Sequence, residues 1–158
     1  MDQTKEVYRS EDLLCQIIDQ QHVHPQLLIG NSMVLVPNDR KFQTVANIQS
    51  YVNKVTDQQG VKAVTVVPKL HRGKGRQLWA HYDPSAGEIH IPMRAKGKWA
   101  QREVVVLHEL AHHLTWREPV GHGPKFAGKL LELIEEYIGL EAHFILRILY
   151  ADNGVVVA

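Results

Sequence analysis

Residues 88–116 read EIHIPMRAKGKWAQREVVVLHELAHHLTW. Glu88 to Ile91 has the composition of a strand, and with Leu78 to Tyr82 it flanks the turn-forming stretch DPSAG (Asp83–Gly87), which predicts a hairpin. From Trp99 to Trp116 the chain is apolar except at spaced polar sites, with Val105, Leu110, Ala111 and Leu114 fit for burial, which predicts a long helix. Working upstream, Val61 to Val67 is β-branched and reads as a strand closed by Pro68. Before it, Thr44 opens a helical pattern (Val45, Ile48, Val52, Val55) stopped by Gly60, and Met33 to Val36 is a short strand candidate ending at Pro37. Ser10 is a candidate cap for a first helix from about Glu11 to Gln20, with Leu13, Leu14, Ile17 and Ile18 on its buried face. Downstream, Pro119 and Gly121 break the long helix. A further helix is predicted from Pro124 to Gly139, with Phe126, Leu130, Ile134, Tyr137 and Ile138 as its face, and another from Glu141 to Tyr150 before an Asn153-Gly154 turn. The order of helices, a small mostly antiparallel sheet and then helices predicts an α+β class, and the length of 158 residues fits one domain, 1–158.

The long helix carries His108-Glu109-Leu110-Ala111-His112, an HExxH sequence. Two residues four apart on a helix differ by only ~40° around the axis and ~6 Å along it, so their imidazoles can converge on one ion. Glu109 projects ~100° from His108, which places a carboxylate beside such an ion rather than among its ligands, where a base for a metal-activated water is needed. With ten His and ten Glu in the chain, roughly 0.04 such matches are expected by chance.

A catalytic zinc takes three protein ligands and keeps one position open. His122 is the candidate third ligand, because it follows His112 by ten residues, beyond the breakers, at the start of the next helix. Glu132, Glu135 and Glu136 on that later helix are its rivals. A third histidine six residues after His112 is absent, since position 118 is Glu, and His113 projects ~100° from His112, as a packing or supporting residue would.

Composition narrows the remaining classes. At 44% hydrophobic and 22% charged the chain has ordinary globular composition, and its apolar runs are too short to span a bilayer. The first residues, MDQTKEVYRSED, lack an apolar signal core, so a cytoplasmic location is the expectation. A single cysteine, Cys15, excludes an internal disulfide framework and a Cys-based zinc ribbon, and it falls in an apolar helix pattern rather than in a nucleophile's setting. Neither GxSxG nor GxxxxGK[ST] is present. The net charge of +1 is unevenly spread: residues 69–102 carry eight Lys/Arg against two Asp/Glu, whereas residues 103–158 carry four against eight. The basic segment is either a pair of solvated loops or a rim for weak nucleic-acid contact through Lys69, Arg72, Lys74, Arg76, Arg94, Lys96 and Lys98. Its aromatics for base stacking are Trp79, Tyr82 and Trp99.

HELAHHL, the following Trp116, a short loop and HGPKF resemble SprT-like zincin metalloproteases, in which a third histidine follows the HExxH in an HGxxF/W context. The run from IHIP through HGPKFAGKLLELI is similar to a small metallohydrolase family of actinobacteria and their phages, with the likeness specific from Glu88 to Gly139. The resemblance implies a zincin-like domain with one Zn2+ per chain, His108, His112 and His122 as ligands, and Glu109 as catalytic base. SprT-type proteins commonly add a Cys-rich zinc ribbon, which one cysteine cannot build. The leading expectation is a zinc-dependent hydrolase of peptide bonds acting on a peptide or protein substrate, with Glu88 to Pro92 as an edge strand for it. The alternative is a nucleic-acid-associated protease or zinc-binding protein using residues 69–102. A third is a zincin fold that holds metal without turnover, against which the intact Glu109 weighs. Tyr82, His81, His90 and Tyr137 are candidate oxyanion-stabilising residues by chemistry.

Overall fold

The computed structural model describes residues 2–70, 79–94 and 98–158. Within them the chain is an α+β protein of five helices and two small sheets: α1 (Thr4–Asp19), β1 (Gln26–Ile29), β2 (Ser32–Leu35), α2 (Val45–Gln59), β3 (Thr65–Leu70), β4 (His81–Asp83), β5 (Glu88–Met93), α3 (Glu103–Leu114), α4 (Pro124–Tyr137) and α5 (Leu140–Asp152). These elements fall into two compact units, one formed by Met1–Asp39 with Arg117–Ala158, the other by Arg40–Trp116. No helix among the described residues is long and apolar enough to cross a membrane.

In the Arg40–Trp116 unit, α2 starts and stops where its sequence signals stand. Thr44 is extended and its hydroxyl accepts from the Asn47 N–H, and Gly60 closes the helix in the left-handed region at φ 66°. Ile48, Val52 and Val55 are fully buried. The sheet has the order β3-β5-β4, with β3 parallel and β4 antiparallel to β5. β5 is therefore the central strand, and Glu88 to Pro92 is not the edge expected from the sequence; among the described residues β3 and β4 are the edges. Pro68 does not close a strand at Val67 but lies within β3, opposite Ile91. An edge strand tolerates the missing N–H that a central one would not. Residues 61–64 stay outside the strand, so β3 is displaced towards the C-terminus from its expected limits.

The predicted hairpin forms as β4 and β5, with register His81↔His90, Tyr82↔Ile89 and Asp83↔Glu88. Residue 78, where it was expected to begin, lies outside the described residues. Asp83 builds the turn: its Oδ1 accepts from the N–H groups of Ser85 and Ala86 and from the Ser85 hydroxyl, and Gly87 supplies φ 66°. Ile89 and Ile91 on one face of β5 are fully buried, while Glu88 and His90 occupy the other.

The expected long helix is shorter at both ends, because Arg102 is extended and Trp99 and Trp116 are exposed. Val104, Val106, Leu107, Leu110 and Ala111 are buried in α3, which packs on α2, β4 and β5. Glu103 anchors its first turn. This carboxylate is 2% exposed and accepts from the Tyr51 hydroxyl (2.5 Å) and the Arg40 N–H (3.0 Å). Glu103→Ala removes the acceptor of the buried Tyr51 hydroxyl and of the part-buried Arg40 N–H and a negative charge from a helix N-terminus, so it is expected to cost about 1–3 kcal/mol in a denaturant titration. A change below ~1 kcal/mol would show that the bonds contribute little.

In the other unit α1 begins at Thr4, about two turns before its expected start. Ser10 does not cap it; its hydroxyl bonds back to the Glu6 carbonyl at 2.8 Å inside the helix. The buried stripe is Val7, Ser10, Glu11, Leu14 and Ile18, with Leu13, Cys15 and Ile17 half-buried. β1 and β2 pair as an antiparallel hairpin across Gly30-Asn31, Gly30 at φ 59°. Of the two, only β2 matches the strand expected at Met33 to Val36. Helices α4 and α5 pack together, α1 packs on α5, and Phe126, Leu130, Leu133, Ile134, Ile145, Leu146 and Tyr150 are buried there. Gly128 is required where it stands: a Cβ would collide with the Ala158 carbonyl oxygen.

Candidate metal centre

His108, Glu109, His112 and His113 all lie on α3, whose apolar side fixes how they project. His108 and Glu109 are 2% and 3% exposed, and His112 is half-buried. The His108 and His112 rings stand edge to face, centroids 5.0 Å apart at 70°, as the four-residue spacing requires. Lys69, on edge strand β3, is near enough to Glu109 for their charges to attract. Burial lowers the Lys69 ammonium below the usual lysine range and Glu109 opposes part of that shift. Its Nζ also donates to the Trp79 carbonyl at 2.7 Å.

His113 is a supporting residue. Its Nε2 is 2.7 Å from the Lys62 carbonyl, which can only accept, so Nε2 carries the proton. In the neutral ring Nδ1 is then an acceptor, and the Tyr82 hydroxyl at 2.9 Å donates to it. The ring thereby ties α3 to β4 and to the segment before β3. Burial, and after it the Asp83 carboxylate, hold the Tyr82 hydroxyl above the usual tyrosine range. Of the other oxyanion candidates, His81 and His90 stack on the hairpin and Tyr137 is the last residue of α4.

His122 lies just ahead of α4, half-buried between aromatic rings: Tyr8 of α1 at 5.2 Å and Phe126 of α4 at 5.0 Å. Its Nδ1 is 3.0 Å from the Thr4 hydroxyl, which in turn donates to Asp2 Oδ1. A carboxylate only accepts, so the single hydroxyl proton points to Asp2, and the Thr4 oxygen accepts from His122. Nδ1 therefore holds the proton and Nε2 is left as the nitrogen with a lone pair, the tautomer a metal ligand needs. A carboxylate, a hydroxyl and an imidazole in series also raise the basicity of the ring. The Thr4 bond is the largest cause holding the Asp2 carboxyl below its ordinary range. Asp2 and Thr4 were missed in the sequence, where they read as the polar start of a chain.

His108 and His112, four apart on α3, can each offer one ring nitrogen to the same metal ion; His122 belongs to the other unit. Three imidazoles suit zinc, copper, iron or nickel better than calcium or magnesium. The rival carboxylates are exposed; Glu132 pairs with Lys129 at 2.7 Å and Glu135 with His143 at 3.4 Å. Of the basic segment's charges, Arg72, Lys74, Arg76 and Lys96 lie outside the described residues, while Lys98 donates to Gln43 at 2.9 Å. Comparison with protein-family models, curated proteins and solved structures finds no match for the chain.

The Thr4 bond gives a direct test. Thr4→Val keeps the shape of the side chain but leaves the His122 Nδ1–H without its acceptor. Loss of such an outer hydrogen bond is expected to weaken metal binding by ~10–100-fold, measured by competition with a chromophoric chelator. Unchanged affinity would reduce the chain from Asp2 to His122 to a packing detail.

Proposed function

We propose that the protein is a zinc-dependent hydrolase of the HExxH type, a metallopeptidase that cleaves peptide bonds with Glu109 as general base. The observation that carries this reading is the His108–His112 pair of α3, rings edge to face, with the buried Glu109 carboxylate next to His108 on the same helix; His122 is proposed as the third ligand from its place in the sequence. Zinc held by these imidazoles supplies Lewis acidity and lowers the pKa of a water towards ~7. The chain's own residues do the rest. Glu109, one position along α3, accepts a proton from water and passes it to the leaving amine. Lys69 favours the charged carboxylate by attraction. The His113–Tyr82 tie fixes α3 against β4, whose outer edge offers backbone groups to an extended peptide. A metal that only supported the fold would need no carboxylate beside it.

The test is metal analysis of the purified chain together with digestion of a peptide library, with and without a chelator. One zinc per chain and chelator-sensitive cleavage support the reading. A fully loaded chain that cleaves no peptide overturns it in favour of metal binding without turnover.

The charge excess of residues 69–102 supports at most weak nucleic-acid contact, since Lys69 is engaged beside Glu109 and Trp79. DNA affinity is expected to fall steeply between low and near-physiological salt, because phosphate contacts release counterions. Tight binding that survives physiological salt, or cleavage that requires DNA, would move the nucleic-acid-associated reading ahead.

A further inference from the structure

The β4–β5 hairpin carries a second set of ligand groups on the face opposite its buried isoleucines. Strand alternation puts Glu88 and His90 on one face of β5, and the register sets Asp83 opposite Glu88 and His81 opposite His90. Ligand atoms of Asp83, Glu88 and His90 all lie within 4.8 Å of one another, and all three residues are partly exposed. His90 Nε2 is 3.1 Å from Glu88 Oε1. The His81 ring lies flat on the His90 ring, centroids 4.4 Å apart and 10° from parallel, and so fixes the plane of the imidazole. Asp83 is oriented as well, because the three turn bonds all go to Oδ1 and hold the carboxylate in place with Oδ2 outside them.

We propose that Asp83, Glu88 and His90 form a second divalent-cation site, independent of the HExxH residues, that clips β4 to β5. Two carboxylates and one imidazole make a mixed oxygen–nitrogen set. It suits Mn2+ or Zn2+, with water in the remaining positions, and lacks the thiolates that select softer ions. Zn2+ binds more tightly than Mn2+ at a site of given donors, so Zn2+ is the stronger ligand and Mn2+ the more useful probe. The positive charge offsets the repulsion between two carboxylates facing each other across the strands, a pair that is otherwise destabilising. A three-residue strand, β4, thereby gains a cross-strand tie from the ion itself.

The experiment uses the full chain, 15N-labelled, with sub-stoichiometric Mn2+ as a paramagnetic probe. Broadening is expected at the amides of residues 81–83, 85 and 88–90, and saturating Zn2+ should reverse it by displacement. Asp83→Asn retains an oxygen for the turn, and Glu88→Gln retains the shape of its side chain. Each should weaken Mn2+ binding at the hairpin by at least ~10-fold, since even an outer-shell change costs that much. Absence of broadening at the hairpin in the wild-type chain, or broadening there that persists undiminished in both variants, would overturn the proposal. Because Tyr82 of β4 touches His113 of α3, Mn2+ at either site broadens both regions, so the titration is repeated in a His108→Ala/His112→Ala chain, where the hairpin broadening should persist and its loss would overturn the proposal.

Discussion

Glu109→Gln is expected to keep the fold and the metal and to lose at least ~10²-fold in turnover, the low end of a general base's contribution. Glutamine has nearly the same volume as glutamate, so the buried position beside His108 remains filled. It cannot accept a proton. The consequences for binding and for chemistry therefore separate, and the assay must report both: metal content by elemental analysis, and hydrolysis of whichever peptide the wild-type chain cleaves best. A metal-loaded Glu109→Gln protein with near wild-type activity would refute the proposed mechanism. Loss of metal along with activity would instead show that Glu109 supports the ligands rather than the reaction. Lys69→Met provides a graded companion, because it removes the neighbouring positive charge without touching the carboxylate itself.

The parts of this protein that were legible in its sequence are those governed by local rules. The limits of α2 follow from a threonine cap and a left-handed glycine, and the β4–β5 turn from Asp83 and Gly87. The convergence of His108 and His112 follows from helical pitch alone. Where pairing partners are distant, the reading weakened. The parallel pairing of β3 with β5 spans the residues between them and leaves no local mark, so β5 was read as an edge although it lies in the centre. β1 did have a signal, Gly30-Asn31 between two apolar runs, but Leu27–Ile29 is short and shows no alternation of polar and apolar residues. The start of α1 was misplaced because Ser10 is a good cap by type, whereas its hydroxyl is spent on the Glu6 carbonyl. The support of His122 by Thr4 was beyond reach for a simpler reason: 118 residues separate them.

The second large effect concerns the metal and stability together. Zinc that binds the folded chain and not the unfolded one stabilises it by RT ln(1 + [L]/Kd), about 2.7 kcal/mol when the free ion is at 100 times its Kd. For a chain of this size that corresponds to a rise in Tm of about 5–10 °C on adding zinc, lost again with a chelator. His108→Ala, His112→Ala and His122→Ala should each abolish most of this increment, since a site of three neutral imidazoles reduced to two is open to competing water. The zinc-free chains must be compared separately. His122→Ala also removes a ring packed against Tyr8 and Phe126, and His108→Ala empties a buried position, so both are expected to lower Tm without metal. The informative quantity is therefore the difference between loaded and stripped protein within each variant, not the Tm itself. Retention of the full zinc increment by His122→Ala would remove it from the ligand set and return the third position to Glu132, Glu135 or Glu136, whose own alanine variants would then have to lose that increment.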